Sequence, residues 1–244
     1  MTEKRRVLVY GAGGGIGSAL CRLLHAQGVQ LHLVGRTESK LVALAQEVEA
    51  TYTIGDVTDR ALFSKVAQDA GEPLDGFVYA VGTITIRSLA RLTEEDFLND
   101  FRVNALGAAL AVQAALPALK KSAGVAAVVL FSSVAASQGF ANHASIGMAK
   151  GAVSALTLAL AAELAPKVRV NAIAPSLTRT PLGENLLGSE QMAASIAALH
   201  ALQRLGEAQD IAALAAFLLS PQADWISGQI IGVDGGRSTL RTKG

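Results

Sequence analysis

Short apolar runs alternate with longer helical patterns from one end of this chain to the other. Residues 6–10, 30–34, 51–54, 76–80, 126–131, 168–172 and 229–233 read as seven strands. They are rich in Val, Ile and Leu and lack polar alternation, as expected when helices cover both faces of a parallel sheet. Helix starts can be named between them. Thr37-Glu38 opens one helix, Thr58-Asp59 another, and Thr93-Glu-Glu-Asp96 has the form of a capping box with Asp in place of the usual Glu. The alternation predicts an α/β fold: a doubly wound, seven-stranded parallel sheet with right-handed crossovers and helices on both faces. No repeat, low-complexity tract or Pro/Gly/Ser-rich linker divides the chain, so residues 1–244 are expected to form a single domain.

Composition narrows the setting. Just over half of the residues are apolar and 5% are aromatic, with 24 glycines, which suits a closely packed helix-rich core. A net charge of +1 gives no electrostatic reason to expect nucleic acid or a membrane surface as a partner. The single cysteine, Cys21, excludes an internal disulfide and fits a reducing, cytoplasmic compartment. The basic start, Met1 to Arg6, raises the question of a signal peptide. The apolar run behind it, residues 7–10, is too short for one and reads as a strand. The longest apolar stretch, residues 152–165, is interrupted by Ser154, Thr157 and Glu163 and is too short to span a bilayer. No metal site is expected.

Candidate chemistry begins where the first strand ends. Gly11-Ala-Gly13-Gly-Gly15-Ile16-Gly17 joins that strand to a helix, placing backbone N–H groups and the positive end of a helix dipole where a pyrophosphate could sit. A tight turn between packed elements is the alternative. The second strand ends in Gly35-Arg36-Thr37, with no acidic residue to hold both hydroxyls of an adenosine ribose. Arg36 instead offers a charged fork suited to a 2′-phosphate, which favours NADP(H) over NAD(H). A solvated arginine at a helix start is the other reading. Gly13 and Gly14 put no basic residue inside the loop, so affinity for the 2′-phosphate is expected to be modest.

The segment from Leu130 to Lys150 contains Ser133, and Lys150 lies seventeen residues further on. It resembles the catalytic stretch of the short-chain dehydrogenase/reductase family, in the manner of 3-oxoacyl-(acyl carrier protein) reductase-like members. In that family a Tyr-x-x-x-Lys pair follows the serine. Here the position four before Lys150 is Ile146, and no tyrosine occurs beyond Tyr79. The resemblance covers residues 7 to 236 and implies a Rossmann fold. It implies that Asp56 and Val57 contact adenine, with a helix cap as the alternative for Asp56. Tyr79-Ala80-Val-Gly82 stands where relatives have Asn-Asn-Ala-Gly. Ala80 and Gly82 still permit close approach to the ribose, whereas Tyr79 is expected to pack.

The resemblance further assigns Asn104 to a bound water, with stabilisation of a helix kink as the other reading. Ser133 is assigned to the substrate carbonyl, Lys150 to the nicotinamide ribose hydroxyls, and Pro175, Thr178 and Thr180 to the nicotinamide carboxamide region, with Ser176 in place of a glycine. Residues 177–203 are implied to form a lid whose leucines, Met192 and Ile196 suit a small, largely nonpolar carbonyl or alcohol substrate, although a packed amphipathic helix has the same spacing. The C-terminal signatures, residues 204–212 and 225–236, imply a homo-oligomer, a tetramer or dimer.

Isoleucine has no proton to give. His143, three residues earlier, is one substitute, because an imidazole can exchange a proton near neutrality. A water held by Ser133, Asn104 and the ribose is another. Ser145 points away from its neighbour on a helix. Two functions therefore stay open: an NADP(H)-dependent oxidoreductase with an atypical proton donor, and a weakly active or inactive NADP(H)-binding protein acting as sensor or partner subunit. A different reaction on the same scaffold is a third.

Overall fold

A computed structural model describes residues 4–184 and 186–242. Seven strands form one parallel sheet: β1 (Arg6–Tyr10), β2 (Gln30–Gly35), β3 (Thr51–Ile54), β4 (Gly76–Tyr79), β5 (Ala126–Phe131), β6 (Val168–Pro175) and β7 (Ile230–Val233). Their order across the sheet is β3-β2-β1-β4-β5-β6-β7. The order reverses between β1 and β4, and the carboxyl ends of these two neighbours flank the crevice in which open α/β sheets bind ligands.

Helices cover both faces. α1 (Gly15–Ala26), α2 (Glu38–Glu47) and α9 (Ala208–Leu219) lie on one side. α3 (Ala61–Ala70), α5 (Gly107–Lys120) and α6 (Ala144–Leu164) lie on the other. Alternate residues of each strand supply two separate cores. Val7, Val9, Leu31, Leu33 and Val129 face the first helix layer, and Leu8, Tyr10, Phe77, Val128 and Leu130 face the second. This explains the unbroken apolar runs of β1 and β5, which are buried on both faces.

The strand ends differ from the expected ones by a few residues. β6 continues to Pro175, which pairs with Val233 at the end of the ladder, where a missing N–H does little harm. Thr37 stands at the start of α2 without a side-chain cap bond. At α3, Asp59 rather than Thr58 caps the chain, accepting from the Ala61 N–H at 2.9 Å. The capping box at Thr93 is formed as written, Thr93 Oγ1 accepting from the Asp96 N–H and the Asp96 carboxylate from the Thr93 N–H.

That box opens α4 (Glu94–Phe101), which runs through a π-helical turn, Arg102–Leu106, directly into α5. This continuous 27-residue helix and α6 are long and apolar enough to cross a membrane, yet both pack on the sheet layer described above. Beyond β6 come two short helices, α7 (Pro181–Glu184) and α8 (Glu190–Ala197). Residue 185 of the expected lid lies outside the described residues. A two-residue ladder, Thr178–Arg179 with Gly206–Glu207, closes this excursion at its base.

Candidate active site

The glycine turn fits its place for steric reasons. Gly11 has φ +77°, and a Cβ there would collide with the Ala80 backbone. A Cβ on Gly17 would strike the Gly11 carbonyl oxygen, so only glycine lets α1 start this close to β1. The result is a groove of about 360 Å³ lined by the glycine turn, Gly35, Arg36, Lys40, Val57 and residues 80–82. The first N–H groups of α1 have no helical partners and face this opening. Arg36, just after β2, and Lys40, in the first turn of α2, both line it. Asp56 does not line the groove. Its carboxylate accepts from the Thr58 N–H at 2.9 Å and reaches Arg36 at 3.3 Å.

Ile16, Ala80, Val81, Gly82, Thr180 and Leu182 line both this groove and a second chamber of about 420 Å³, so the two form one cleft. The second chamber brings together Ser133, His143, Ile146, Lys150, Pro175, Thr178 and Thr180, residues spread over almost fifty positions of sequence. Ser133 ends the segment after β5, and its Oγ accepts from the Ala135 N–H at 3.1 Å. Ser132 is buried and structural, with Oγ 2.7 Å from Ser154 Oγ and 3.1 Å from the Lys150 carbonyl. Ile146, 3% exposed, and Lys150 lie one turn apart on α6 and both reach the chamber. The Lys150 ammonium donates to the Phe131 carbonyl at 2.8 Å. Burial pushes its pKa down to about 8, against the opposing pull of the Asp100 carboxylate.

Asn104 sits in the π-turn. Its amide nitrogen donates to the Asp100 carbonyl at 2.8 Å and to Thr83 Oγ1 at 2.9 Å. Its Oδ1 is buried without a partner. A Cβ built on Gly82 would lie 2.9 Å from that oxygen and 3.6 Å from Lys150 Nζ, so both groups converge on the bare α-carbon of Gly82. Tyr79 packs, as expected, at 2% exposure. Its hydroxyl donates at 2.7 Å to the Val103 carbonyl within the π-turn.

His143 precedes α6 and makes no cap bond. Its Nδ1 lies 2.7 Å from the Ala141 carbonyl, which sets Nδ1 as donor, and Nε2 has no hydrogen-bond partner among the described residues. Ser145 turns away from the chamber to Asp100. Of the lid's apolar residues, Leu177, Leu182, Leu186, Ile196 and Leu199 line the chamber, whereas Leu187 and Met192 do not.

Several groups escaped the sequence reading. Asp100 is fully buried, taking bonds from Thr83 Oγ1 at 2.8 Å and Ser145 Oγ at 2.6 Å. Its position four before Asn104, on the same helical face, was the available signal. Lys40 also lines the groove. Buried His200 lies 2.9 Å from Ser176 Oγ through Nε2 and 2.9 Å from the Ile196 carbonyl through Nδ1. Nothing in the sequence linked these two, nor Arg237 with Phe140. No acidic side chain lines either chamber, and no cluster of metal-ligating side chains occurs, among the described residues.

The arrangement therefore offers a phosphate-binding turn, two outer cations, a serine hydroxyl, a buried ammonium and an unpaired amide oxygen along one cleft. Its residues fit a hydroxylated dinucleotide on three counts: the cleft is continuous, the glycine turn excludes a Cβ at Gly11 and Gly17, and Asn104 Oδ1 awaits a donor. Known proteins agree with this geometry. Residues 11–238 match the family model described as enoyl-(acyl carrier protein) reductase. The chain is 31% identical over 234 residues to L-xylulose reductase of Bos taurus, covering 95% of this chain and 96% of that protein. A tropinone reductase homologue of Arabidopsis thaliana is 34% identical over 239 residues, covering 94% and 91%. A short-chain type dehydrogenase/reductase of Mycobacterium ulcerans superposes with a TM-score of 0.90 at 31% identity, covering 98% and 91%. On the sheet order, the glycine turn and these matches together, the chain belongs to the short-chain dehydrogenase/reductase family.

Proposed function

We propose that this protein is an NADP(H)-dependent oxidoreductase that interconverts a carbonyl and a secondary alcohol, with Ile146 at the family's tyrosine position. The observation that carries the reading is the unpaired Asn104 Oδ1 beside the Lys150 ammonium. An unsatisfied buried acceptor costs roughly 1–3 kcal/mol, so its retention fits a site completed by a hydroxyl or water from outside the chain. When bound, the nicotinamide supplies or accepts the hydride. Ser133 has its lone pair engaged by Ala135, which leaves its proton to donate to the substrate oxygen as charge builds there. Lys150 spends one donor on Phe131 and keeps the others for ribose hydroxyls. Arg36 and Lys40 support NADP(H) over NAD(H). The apolar lid side chains and the walls Ile84, Ile86 and Val134 exclude water and suit a largely nonpolar substrate body.

The proton comes from His143 Nε2 or from a water between Asn104 and Lys150. General acid help is worth about 10²–10⁴-fold in rate, so its displacement from a phenol lowers turnover without abolishing it. The 3%-exposed Ile146 also favours a second reading, a weakly active or inactive NADP(H)-binding protein acting as sensor or partner subunit. Met148 and Leu158, exposed on the outer face of α6, support assembly of this chain with itself.

Titration with NADPH and NADH, followed by ketones in the same cell, tests both. Tight NADPH binding with turnover supports the oxidoreductase, and loss of that turnover in His143→Ala identifies the acid. Binding without turnover, with activity appearing in Ile146→Tyr, supports the second reading. Failure to bind either nucleotide overturns both.

A further inference from the structure

The reaction chamber holds a cation that the proposed chemistry does not use. Arg237 follows β7 and lines the chamber, with its guanidinium carbon 5.3 Å from the centroid of the Phe140 ring. Phe140 also lies against His143, with ring centroids 5.4 Å apart. Asp234, the acid nearest to Arg237 in sequence, is occupied by the Gly236 and Ser238 N–H groups. No ion pair to Arg237 occurs among the described residues.

We propose that Arg237 recognises a carboxylate, so that the substrate is an oxo acid: a carbonyl at Ser133, an apolar body, and an anionic end at Arg237. This rests on the carbonyl-reducing reading of the chamber. An arginine fork is a match for a carboxylate in charge and in bidentate geometry. Stacking on Phe140 holds the fork in place and lowers the ordering cost of binding. The surroundings strengthen the attraction, because the remaining lining is largely apolar and carries no acid to compete. Lys150, the chamber's other cation, donates to Phe131, lies under the field of Asp100 and has its remaining donors assigned to the ribose hydroxyls. Arg237 is the one left to the substrate.

The test compares 6-oxoheptanoate with its methyl ester, two ketones that differ in the charged end alone. With NADPH, the wild-type protein is expected to prefer the acid in kcat/KM by about tenfold, the scale of one charge-assisted contact at a partly open site. Arg237→Met is expected to erase that preference and Arg237→Lys to restore part of it. Where neither ketone turns over, calorimetric binding of each to the protein saturated with NADP+ reads the same ratio. Equal treatment of acid and ester by the wild type, or a preference that persists in Arg237→Met, overturns the assignment. The NADPH Kd, measured first in every variant, reports separately on fold and cofactor binding. A protein that binds no NADPH thus sinks the carbonyl-reducing reading, and one that binds it yet ignores the carboxylate sinks only this inference.

Discussion

A hydroxyl whose oxygen already accepts a bond has its proton left to give, and Ser133 is in that position. Ser133→Ala is expected to lower kcat/KM by roughly 10²-fold, with NADPH affinity retained in the same preparation. Lys150 makes a pH prediction. Its charge is lost above about pH 8, so kcat/KM should fall on that alkaline side. Asp100 raises the lysine's pKa, and Asp100→Asn should therefore move the fall to lower pH in a pH–rate profile. The same depression bears on stability. Between about pH 8 and 10.5 the unfolded chain binds this proton more tightly than the folded one, so stability rises with pH across that window. Ser133, Ile146 and Lys150 were expected together from the family resemblance of one segment, and all three line one chamber. Asp100 was signalled only by its place four before Asn104, and its significance comes from Thr83 and Ser145, which reach it from other elements.

The elements themselves were largely legible. Buried strands announce themselves by unbroken Val, Ile and Leu, and the Thr93 box by its own four letters. The π-turn at Arg102–Leu106 was not, since one inserted residue only shifts an apolar stripe sideways. Tyr79 is tied to that turn through the Val103 carbonyl. Tyr79→Phe removes this hydrogen bond and should cost about 0.5–1.5 kcal/mol in urea denaturation, with a weaker NADPH titration if the turn carries Asn104 away from Gly82. At the β2–α2 junction, Arg36→Ala and Lys40→Ala should each raise the NADPH Kd by about tenfold while changing the NADH Kd little, because only the former nucleotide carries the 2′-phosphate. Lys40 was missed because a lysine in a helix's first turn is ordinarily a solvated one.

For the whole molecule, the net charge of +1 gives no reason to expect nucleic acid or a membrane surface, and it says nothing of a single cavity. Along the cleft, Arg36, Lys40, Lys150 and Arg237 lie with no acidic lining residue between them, and Asp56 touches Arg36 from outside the groove. Balance over a surface and balance over a cavity are different quantities, and only a fold can convert one into the other. The NADPH Kd should accordingly rise with sodium chloride concentration, measured by titration from low to moderate salt, as screening over a Debye length of about 10 Å at 0.1 M takes hold. The acid-free lining has a practical corollary. Buffers are not neutral bystanders to such a cleft: phosphate, citrate and sulfate are themselves small anions that fit its cations. Rates taken in phosphate and in a cationic amine buffer with chloride, at equal ionic strength, would then disagree, and the ranking of candidate substrates would depend on the medium chosen for the screen.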